Sequence, residues 1–303
     1  MTLWGAFPDY VAQVARTREN VKFLPGVQIP AAVGLTSECG FALDGSEVIV
    51  IAVPSQYLRD VLHQASSDSW KKSQVISVVK GIDPQSLRRM SELIREIVPV
   101  EKLAVLSGPS ISYEVSRGVP TTVVAASDDG SLAREAQSLF TTERFRVYTS
   151  TDVIGVELGG ALKNVIAIAC GVADGLGFGT NTKAALATRG LVEMARLGVK
   201  MGAKAETFSG LSGLGDLITT CFSSHSRNRS VGEKLGKGMS VSEVTQGMEQ
   251  VAEGVPTAQS AFRLSQKHRV EMPITAAVHQ VLFEGKSSKD VVRELMLREP
   301  KSE

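Results

Sequence analysis

A chain of 303 residues is long enough for two hydrophobic cores, because single cores rarely grow beyond about 250 residues. The net charge of +1 excludes the large positive field that binding to nucleic acid or an anionic membrane surface would require. The three cysteines are widely spaced and odd in number, which excludes a disulfide framework and a cysteine-rich zinc site. No metal is therefore expected, and a reducing cytoplasm is the expected compartment.

Up to residue 150, short apolar runs alternate with helical segments. The runs are rich in β-branched residues, as expected for parallel strands that are buried on both faces. The predicted strands are Met1–Trp4, Val48–Ser55, Val75–Lys80, Leu103–Leu106, Thr121–Ala125 and Phe145–Tyr148. This alternation predicts an α/β fold with a mostly parallel, Rossmann-like sheet, in which ligands bind at the carboxyl ends of the strands.

One helix in this first part has a clear predicted start. Asp83 and Pro84 supply an N-cap and a first-turn proline, and the apolar face would then carry Leu87, Met90 and Leu93.

After residue 152 the pattern becomes entirely helical. Helices are predicted at Gly155–Ala173, Lys183–Met201 and Ser242–Gln250, without a convincing strand between them. The apolar stretch 165–173 is too short for the ~20 residues that cross a bilayer and predicts a buried helix. We therefore expect a second, all-helical domain at 153–303.

The beginning of the chain is unusual for this fold. Met1–Trp4 predicts a strand that feeds a helix at Pro8, and no GxGxxG motif precedes it. A dinucleotide-binding fold begins with a strand, a glycine-rich turn and a helix, about 30 residues whose helix N-terminus holds the pyrophosphate. We therefore expect residues 1–152 to form a dinucleotide-binding domain that lacks its first βα unit.

Two candidate site residues follow predicted strands. Lys80 ends a strand, where its ammonium would reach the ligand crevice, although a solvated loop lysine is an equally common explanation. The turn Ser107–Ser110 leads into a helix and offers Ser110 as N-cap, with free backbone N–H groups that suit an anion. Helix capping alone would also explain this serine.

Lys163 and Asn164 stand inside an otherwise apolar helix, directly after Gly159 and Gly160. Two glycines cost a helix about 1 kcal/mol each relative to alanine, which suggests that another backbone or a ligand comes close. Burial lowers the pKa of a lysine, so Lys163 could accept a hydroxyl proton as hydride leaves the carbon. The alternative is a lysine whose ammonium reaches the solvent.

A polar group follows further along the chain. Asp216 and Thr220 would lie one turn apart on one helix face, and the alternative is an N-capping aspartate with a surface threonine. The segment Ser226–Arg229 adds two guanidinium groups, which suit a phosphate, although basic surface clusters are common. Together these residues would supply a lysine base, an orienting carboxylate and a phosphate anchor.

The chain resembles the bacterial-type NAD(P)-dependent sn-glycerol-3-phosphate dehydrogenases nearly from end to end. The matching blocks are Arg18–Asn20 with Leu24–Gly26, Ala52–Ser55, Lys80–Ile82, Leu106–Ser110, Gly155–Val165, Gly213–Asp216, Ser226–Arg229, Val251–Gly254 and Met272–Ile274. So many blocks in the same order make a chance match very improbable.

The resemblance implies a Rossmann domain followed by a helical domain similar to that of 6-phosphogluconate dehydrogenase. It implies hydride transfer between glycerol 3-phosphate and NAD(P)+, which yields dihydroxyacetone phosphate and NAD(P)H and, in reverse, supplies glycerol 3-phosphate for phospholipid synthesis. Lys163 matches the proton acceptor. The matching substrate contacts are Lys80, Gly108, Ser110, Asp216, Ser226, Arg227 and Asn228, to which helical spacing adds Thr220. The matching cofactor positions are Lys80, Ser112, Arg227, Val251 and Glu253.

The chain departs from the family pattern at three places. The family's first strand and glycine-rich loop have no counterpart before Met1. Ala6 replaces an arginine that would meet the 2′-phosphate of NADP, which lowers the expected preference for NADP. Ser112 replaces an alanine that touches the cofactor.

Three hypotheses remain open from the sequence. The leading one is a glycerol-3-phosphate dehydrogenase, compatible with a homodimer. The second is another two-domain dehydrogenase that acts on hydroxy acids, because the architecture is shared. The third is a truncated or degenerate homologue without cofactor binding, acting as an interaction partner or an inactive fragment.

Overall fold

The computed structural model describes residues 1–65, 68–246, 251–300 and 302. The strands within these residues are β1 (Thr2–Trp4), β2 (Gly34–Thr36), β3 (Val48–Ile51), β4 (Gln74–Ser77), β5 (Lys102–Ser107), β6 (Thr121–Ala126) and β7 (Phe145–Ser150). The helices that alternate with them are α1 (Pro8–Thr17), α2 (Cys39–Leu43), α3 (Leu58–Gln64), α4 (Ser69–Lys72), α5 (Met90–Ile97), α6 (Ser112–Val115) and α7 (Gly130–Phe140).

Every described element after residue 152 is helical. The helices are α8 (Val153–Gly175), α9 (Thr180–Lys200), α10 (Ala205–Phe208), α11 (Asp216–Phe222), α12 (Arg227–Gly236), α13 (Val241–Gln246), α14 (Gly254–His268), α15 (Pro273–Phe283) and α16 (Ser288–Met296). A π-helical turn, Leu211–Gly215, precedes α11. The predicted helix 242–250 is confirmed as α13 up to Gln246, and residues 247–250 lie outside the described residues.

The sheet is mostly parallel, as the sequence predicts. Strands β3 to β7 form one sheet in chain order, and β1 pairs with β2 in a separate parallel pair. The exception is the antiparallel pairing of β5 with β6. Their connection contains only the four-residue helix α6, which is too short to carry the chain back across the sheet for parallel pairing. Among the described residues no strand joins β1 to β3, and Leu3 and Val50 on these strands are exposed.

The predicted helix start at Asp83 and Pro84 is wrong. The carboxylate of Asp83 instead accepts hydrogen bonds from the backbone N–H and the hydroxyl of Ser86, at 2.8 and 2.5 Å, which closes a single turn. Leu87 then adopts a φ of 60°, a left-handed conformation that ends any helix, so α5 begins only at Met90.

Helix α8 forms the centre of the helical part. Its residues from Gly155 to Ala173 are all buried, which confirms the buried helix that the sequence predicts. Among the described helices, α8 is long and apolar enough to cross a membrane. However, 94% of its most apolar 18-residue segment is buried inside the protein. Helix α12 packs so closely on it that a Cβ added to Gly171 would lie 2.0 Å from the carbonyl oxygen of Arg229.

Candidate functional site

The site is built around one buried carboxylate that pairs with two lysines. Oδ1 of Asp216 accepts a hydrogen bond from Nζ of Lys163 at 2.6 Å, and its Oδ2 accepts one from Nζ of Lys80 at 2.6 Å. Lys163 lies on α8, Asp216 begins α11, and Lys80 follows strand β4. The fold therefore brings together three charged side chains that are far apart in the sequence.

Lys163 has a second polar partner one helical turn beyond the aspartate. The hydroxyl of Thr220 accepts a hydrogen bond from Nζ of Lys163 at 2.7 Å and donates one to the carbonyl oxygen of Asp216 at 2.6 Å. The predicted shared face of Asp216 and Thr220 is therefore observed, and both residues are buried. Asp216 does not cap its helix, because its carboxylate is taken by the two lysines.

The two glycines before Lys163 allow close packing against both sides of the site. A Cβ on Gly159 would lie 2.5 Å from the carbonyl oxygen of Ser212, and one on Gly160 would lie 2.5 Å from the hydroxyl of Ser107. Larger residues would push α8 away from the turn before α11 and from the end of β5. The close backbone approach that the sequence predicts is therefore observed at Gly159, where the backbone of Ser212 leaves no room for a side chain.

Lys80 also contacts the end of strand β5. Its Nζ donates a hydrogen bond to the carbonyl oxygen of Gly108 at 2.9 Å. Gly108 has a φ of 137°, which residues with a side chain rarely adopt, so the chain turns sharply there. The sequence prediction that Lys80 points into the crevice at the strand ends agrees with this position.

A chain of amide hydrogen bonds connects Lys163's helix to α12 and α14. The side-chain amide of Asn228 donates to Oδ1 of Asn164 at 2.8 Å, and its own Oδ1 accepts from the backbone N–H of Gly254 at 2.8 Å. A Cβ on Gly254 would lie 2.6 Å from the carbonyl oxygen of Asn164, so the helices nearly touch. Asn228 is thereby fixed at the start of α12.

Arg227 and Glu253 complete the polar cluster on the side of α12. The exposed guanidinium of Arg227 donates to the carbonyl oxygen of Val251 at 2.9 Å. The half-buried carboxylate of Glu253 accepts a hydrogen bond from the backbone N–H of Ser55 at 3.2 Å, just beyond strand β3. Ser226 caps α12, since its hydroxyl accepts a hydrogen bond from a backbone N–H in the first turn.

The burial of these groups changes their proton affinities. The pKa of Lys163 is lowered to about 8, chiefly by burial and also by the nearby ammonium of Lys80, whereas the carboxylate of Asp216 opposes both effects. Burial raises the pKa of Glu253, while its hydrogen bond from Ser55 and the charges of Arg227, Lys80 and Lys163 oppose the rise. Lys163 can therefore donate or accept a proton near neutral pH.

Ser110 lies differently from the sequence expectation. Ser110 is predicted as an N-cap, but α6 begins at Ser112 with Ile111 as its N-cap, and the Ser110 hydroxyl instead donates to the carbonyl oxygen of Gly108 at 3.0 Å. The N-cap prediction is therefore wrong, because that hydroxyl is used within the turn. Ser112 is exposed at the start of α6.

The sequence analysis missed a buried glutamate that ties α5 to α8. The carboxylate of Glu157 accepts hydrogen bonds from the backbone N–H and the hydroxyl of Ser91, at 2.8 and 2.6 Å, and pairs with Arg89. Burial raises the pKa of Glu157. A charged residue two turns before Lys163 on an apolar helix was the available signal.

The fold and the cluster define a class of protein: an oxidoreductase with an α/β part, a helical part and a buried lysine that pairs with an aspartate. The chain belongs to the NAD-dependent glycerol-3-phosphate dehydrogenase family. The family's N-terminal model matches residues 1–133 and its C-terminal model matches residues 152–293.

Individual relatives agree with this assignment. The chain is 49% identical over 306 residues to glycerol-3-phosphate dehydrogenase [NAD(P)+] of Geobacter sulfurreducens, covering 100% of this chain and 91% of that protein. It is 48% identical to the protein of the same name from Chlorobium phaeobacteroides, covering 99% of this chain and 91% of that one. These relatives support the hypothesis that the chain is an enzyme. They do not support the hypothesis of a degenerate homologue that acts as an interaction partner.

Solved structures give the same result. The crystal structure of glycerol-3-phosphate dehydrogenase from Coxiella burnetii aligns with a TM-score of 0.93 at 37% identity, covering 98% of this chain and 91% of that chain. D-mandelate dehydrogenase, which acts on a hydroxy acid, aligns with a TM-score of only 0.57 at 13% identity, covering 96% of this chain and 91% of that chain. The similarity to D-mandelate dehydrogenase therefore concerns the fold alone.

Proposed function

We propose that the chain interconverts sn-glycerol 3-phosphate and dihydroxyacetone phosphate with NAD(P)(H), with Lys163 as the general acid and base. The observation that carries this proposal is the bridging carboxylate of Asp216, which holds the ammonium of Lys163 at 2.6 Å in a buried site. A lysine whose pKa is about 8 serves both directions, because it is close to the operating pH.

The proton transfer follows from this arrangement. In the reductive direction the ammonium of Lys163 donates a proton to the carbonyl oxygen at C-2, and in the oxidative direction the neutral amine accepts the hydroxyl proton. Asp216 and Thr220 orient Nζ of Lys163 from two sides, at 2.6 and 2.7 Å. Lys80, fixed by Asp216 and Gly108, adds positive charge where the carbonyl oxygen becomes negative.

The residues at the strand ends fit a nicotinamide dinucleotide. The hydroxyl of Ser107 is buried at the end of β5 and has no hydrogen-bond partner among the described residues, as expected of a group whose partner is a ligand. We propose that Lys80, Ser112, Arg227, Val251 and Glu253 hold the cofactor, with Ser107 as an added contact. The bound cofactor supplies or accepts the hydride at C-2.

The phosphate of the substrate would bind at the start of α12. Arg227 offers a planar guanidinium that suits a phosphate, and the free backbone N–H groups of the first turn add partial positive charge. Asn228 is fixed by its amide bonds to Asn164 and Gly254, so its position is set before the substrate binds. Ser226, Gly108 and Ser110 would complete the substrate contacts.

An activity assay tests the proposed function. Purified chain is given dihydroxyacetone phosphate with NADH and with NADPH, and absorbance at the reduced cofactor's band is followed. We expect oxidation of reduced cofactor that depends on the phosphorylated ketone. A higher kcat/KM for a 2-oxo acid without phosphate would contradict the proposal and favour a hydroxy-acid dehydrogenase.

The two directions of the reaction should have opposite pH profiles. Because burial lowers the pKa of Lys163 to about 8, its ammonium form is lost as the pH rises through that value. We expect the kcat of dihydroxyacetone phosphate reduction to fall above pH 8 and the kcat of glycerol 3-phosphate oxidation to rise towards pH 8. Steady-state kinetics from pH 6 to 10 checks this, and parallel profiles in the two directions would contradict it.

Arg227→Ala should weaken binding of the phosphorylated substrate. A hydrogen bond to a charged group contributes about 1.5–3 kcal/mol, so we expect the KM for dihydroxyacetone phosphate to rise about 10- to 150-fold. The matched control is Arg196→Ala, an exposed arginine that likewise donates to a backbone carbonyl oxygen, that of Glu271. An equal effect of both substitutions, or an equal rise in KM for unphosphorylated dihydroxyacetone, would remove the anchor role.

We propose a boundary between residues 152 and 153, which is supported by the start of α8 at Val153 and by the family model that begins at residue 152. We also propose a cytoplasmic location, which the three free cysteines support. We propose a role in supplying glycerol 3-phosphate for phospholipid synthesis. We further propose that the chain forms a homodimer. Light scattering coupled to gel filtration would measure the oligomeric state.

A further inference from the structure

An aromatic stack joins the α/β part to the helical part beside the proposed phosphate anchor. The ring of Tyr113 on α6 and the imidazole of His225 have centroids 4.7 Å apart and planes 22° apart. Tyr113 is one residue into a helix that follows the Gly108 turn, and His225 comes two residues before Arg227. The stack therefore connects the turns that carry two of the proposed substrate contacts.

Tyr113 is itself held in place by an arginine. The guanidinium carbon of Arg117 lies 3.5 Å from the centre of the tyrosine ring, and its Nη1 donates to the carbonyl oxygen of Tyr113 at 3.2 Å. Its Nη2 donates to the carbonyl oxygen of Pro25 at 3.3 Å. The ring is thus fixed on the α/β side, although 41% of Tyr113 is exposed.

His225 belongs to the turn that starts α12. Its backbone N–H donates to the hydroxyl of Ser223 at 3.1 Å, and the N–H of Ser226 donates to the carbonyl oxygen of Ser223 at 3.3 Å. Ser226 then caps the helix on which Arg227 is the first residue. The turn 223–226 therefore leads directly from His225 into the cap and the arginine.

We infer that Tyr113 is a positioning residue for the phosphate anchor: by stacking on His225 it holds the turn 223–226, and with it Arg227, in the geometry that binds the substrate's phosphate. This inference rests on the proposed function for the identity of the substrate. A stacked pair of rings next to a solvent-exposed turn supplies rigidity at a place where hydrogen bonds to water compete with those of the turn. Tyr113 acts through His225 and does not need to touch the substrate.

The test measures KM and kcat separately in Tyr113→Ala, His225→Ala and the double variant. We expect each single substitution to raise the KM for dihydroxyacetone phosphate about 2- to 12-fold, the range that the loss of a ring pair gives. The kcat should stay within about 2-fold, since the pair of Lys163 and Asp216 is untouched. The double variant should resemble the single ones, because both remove the same stack.

Two further variants separate positioning from a general effect on folding. Tyr113→Phe keeps the ring and should retain the wild-type KM. The control Tyr148→Ala removes a tyrosine that is 46% exposed and has Arg146 over its ring at 5.1 Å, but lies on β7. Its KM should be unchanged. An unchanged KM in Tyr113→Ala, additive single effects, or the same rise in Tyr148→Ala would overturn the inference.

A binding measurement distinguishes failure of the inference from failure of the proposed function. Calorimetric titration with glycerol 3-phosphate should show 2- to 12-fold weaker binding to Tyr113→Ala than to the wild type. A wild type without turnover that still shows this difference would contradict the proposed reaction and support the inference. A wild type that neither turns over nor binds glycerol 3-phosphate would overturn both.

Discussion

Lys163→Met should lower the kcat of dihydroxyacetone phosphate reduction by about 10²- to 10⁴-fold, the range that general acid catalysis contributes. Methionine has similar length and no proton to donate, so the chemical step loses its acid. Asp216 keeps Lys80 as its counter-ion, so no buried charge is left alone and the fold should be retained. Single-turnover kinetics measures the chemical step directly.

The control for this substitution is Lys286→Met, which removes a lysine paired with Glu294 in the helical part. Its kcat should stay within about 2-fold of the wild type, because an exposed ion pair contributes at most about 1 kcal/mol to stability and lies outside the site. Substrate binding to Lys163→Met, measured by calorimetry, should weaken far less than kcat falls. A Lys163→Met variant with a kcat within tenfold of the wild type would end the general-acid assignment.

Asp216→Ala should have the second large effect, lowering kcat/KM by about 10²- to 10³-fold. Removing one partner of a buried ion pair costs about 3–5 kcal/mol, and here two ammonium groups lose the same carboxylate. Without Asp216, burial and the charge of Lys80 both lower the pKa of Lys163, so less of the proton-donating form remains at neutral pH. The variant's reduction activity should recover partly at low pH.

The control here is Asp174→Ala, because Asp174 also pairs with two cations, Lys183 and Arg229, in the helical part. We expect it to lower the melting temperature without shifting the pH profile. Thermal unfolding and pH-dependent kinetics of both variants separate stability from catalysis. A pH profile of Asp216→Ala identical to that of the wild type would contradict the role of Asp216 in setting the proton affinity of Lys163.

Local sequence patterns were sufficient where one element determines the outcome. The β-branched run at residue 48 predicts strand β3, and the four-residue spacing of Asp216 and Thr220 predicts their common face. The helix start at Asp83 failed because the side chain of Ser86 and the left-handed Leu87 close a turn instead. Capping residues also serve turns, so the pattern alone does not distinguish the two.

The contacts between distant elements could not be read from the sequence. Nothing in the spacing indicates that Asp216 binds both Lys80 and Lys163, because β4, α8 and α11 meet only in the folded chain. The same holds for the stack of Tyr113 on His225, which joins residues from the two parts. The family resemblance predicted which residues matter, and the structure adds which of them touch.

The proposed mechanism requires one substrate molecule to span from Lys163 to Arg227. A crystal structure of the chain with glycerol 3-phosphate and NAD+ tests it most directly. We predict the C-2 oxygen within hydrogen-bond distance of Nζ of Lys163, about 2.6–3.2 Å, and the phosphate on the guanidinium of Arg227. A substrate phosphate bound away from α12, or a C-2 oxygen that faces a group other than Lys163, would contradict the proposed mechanism.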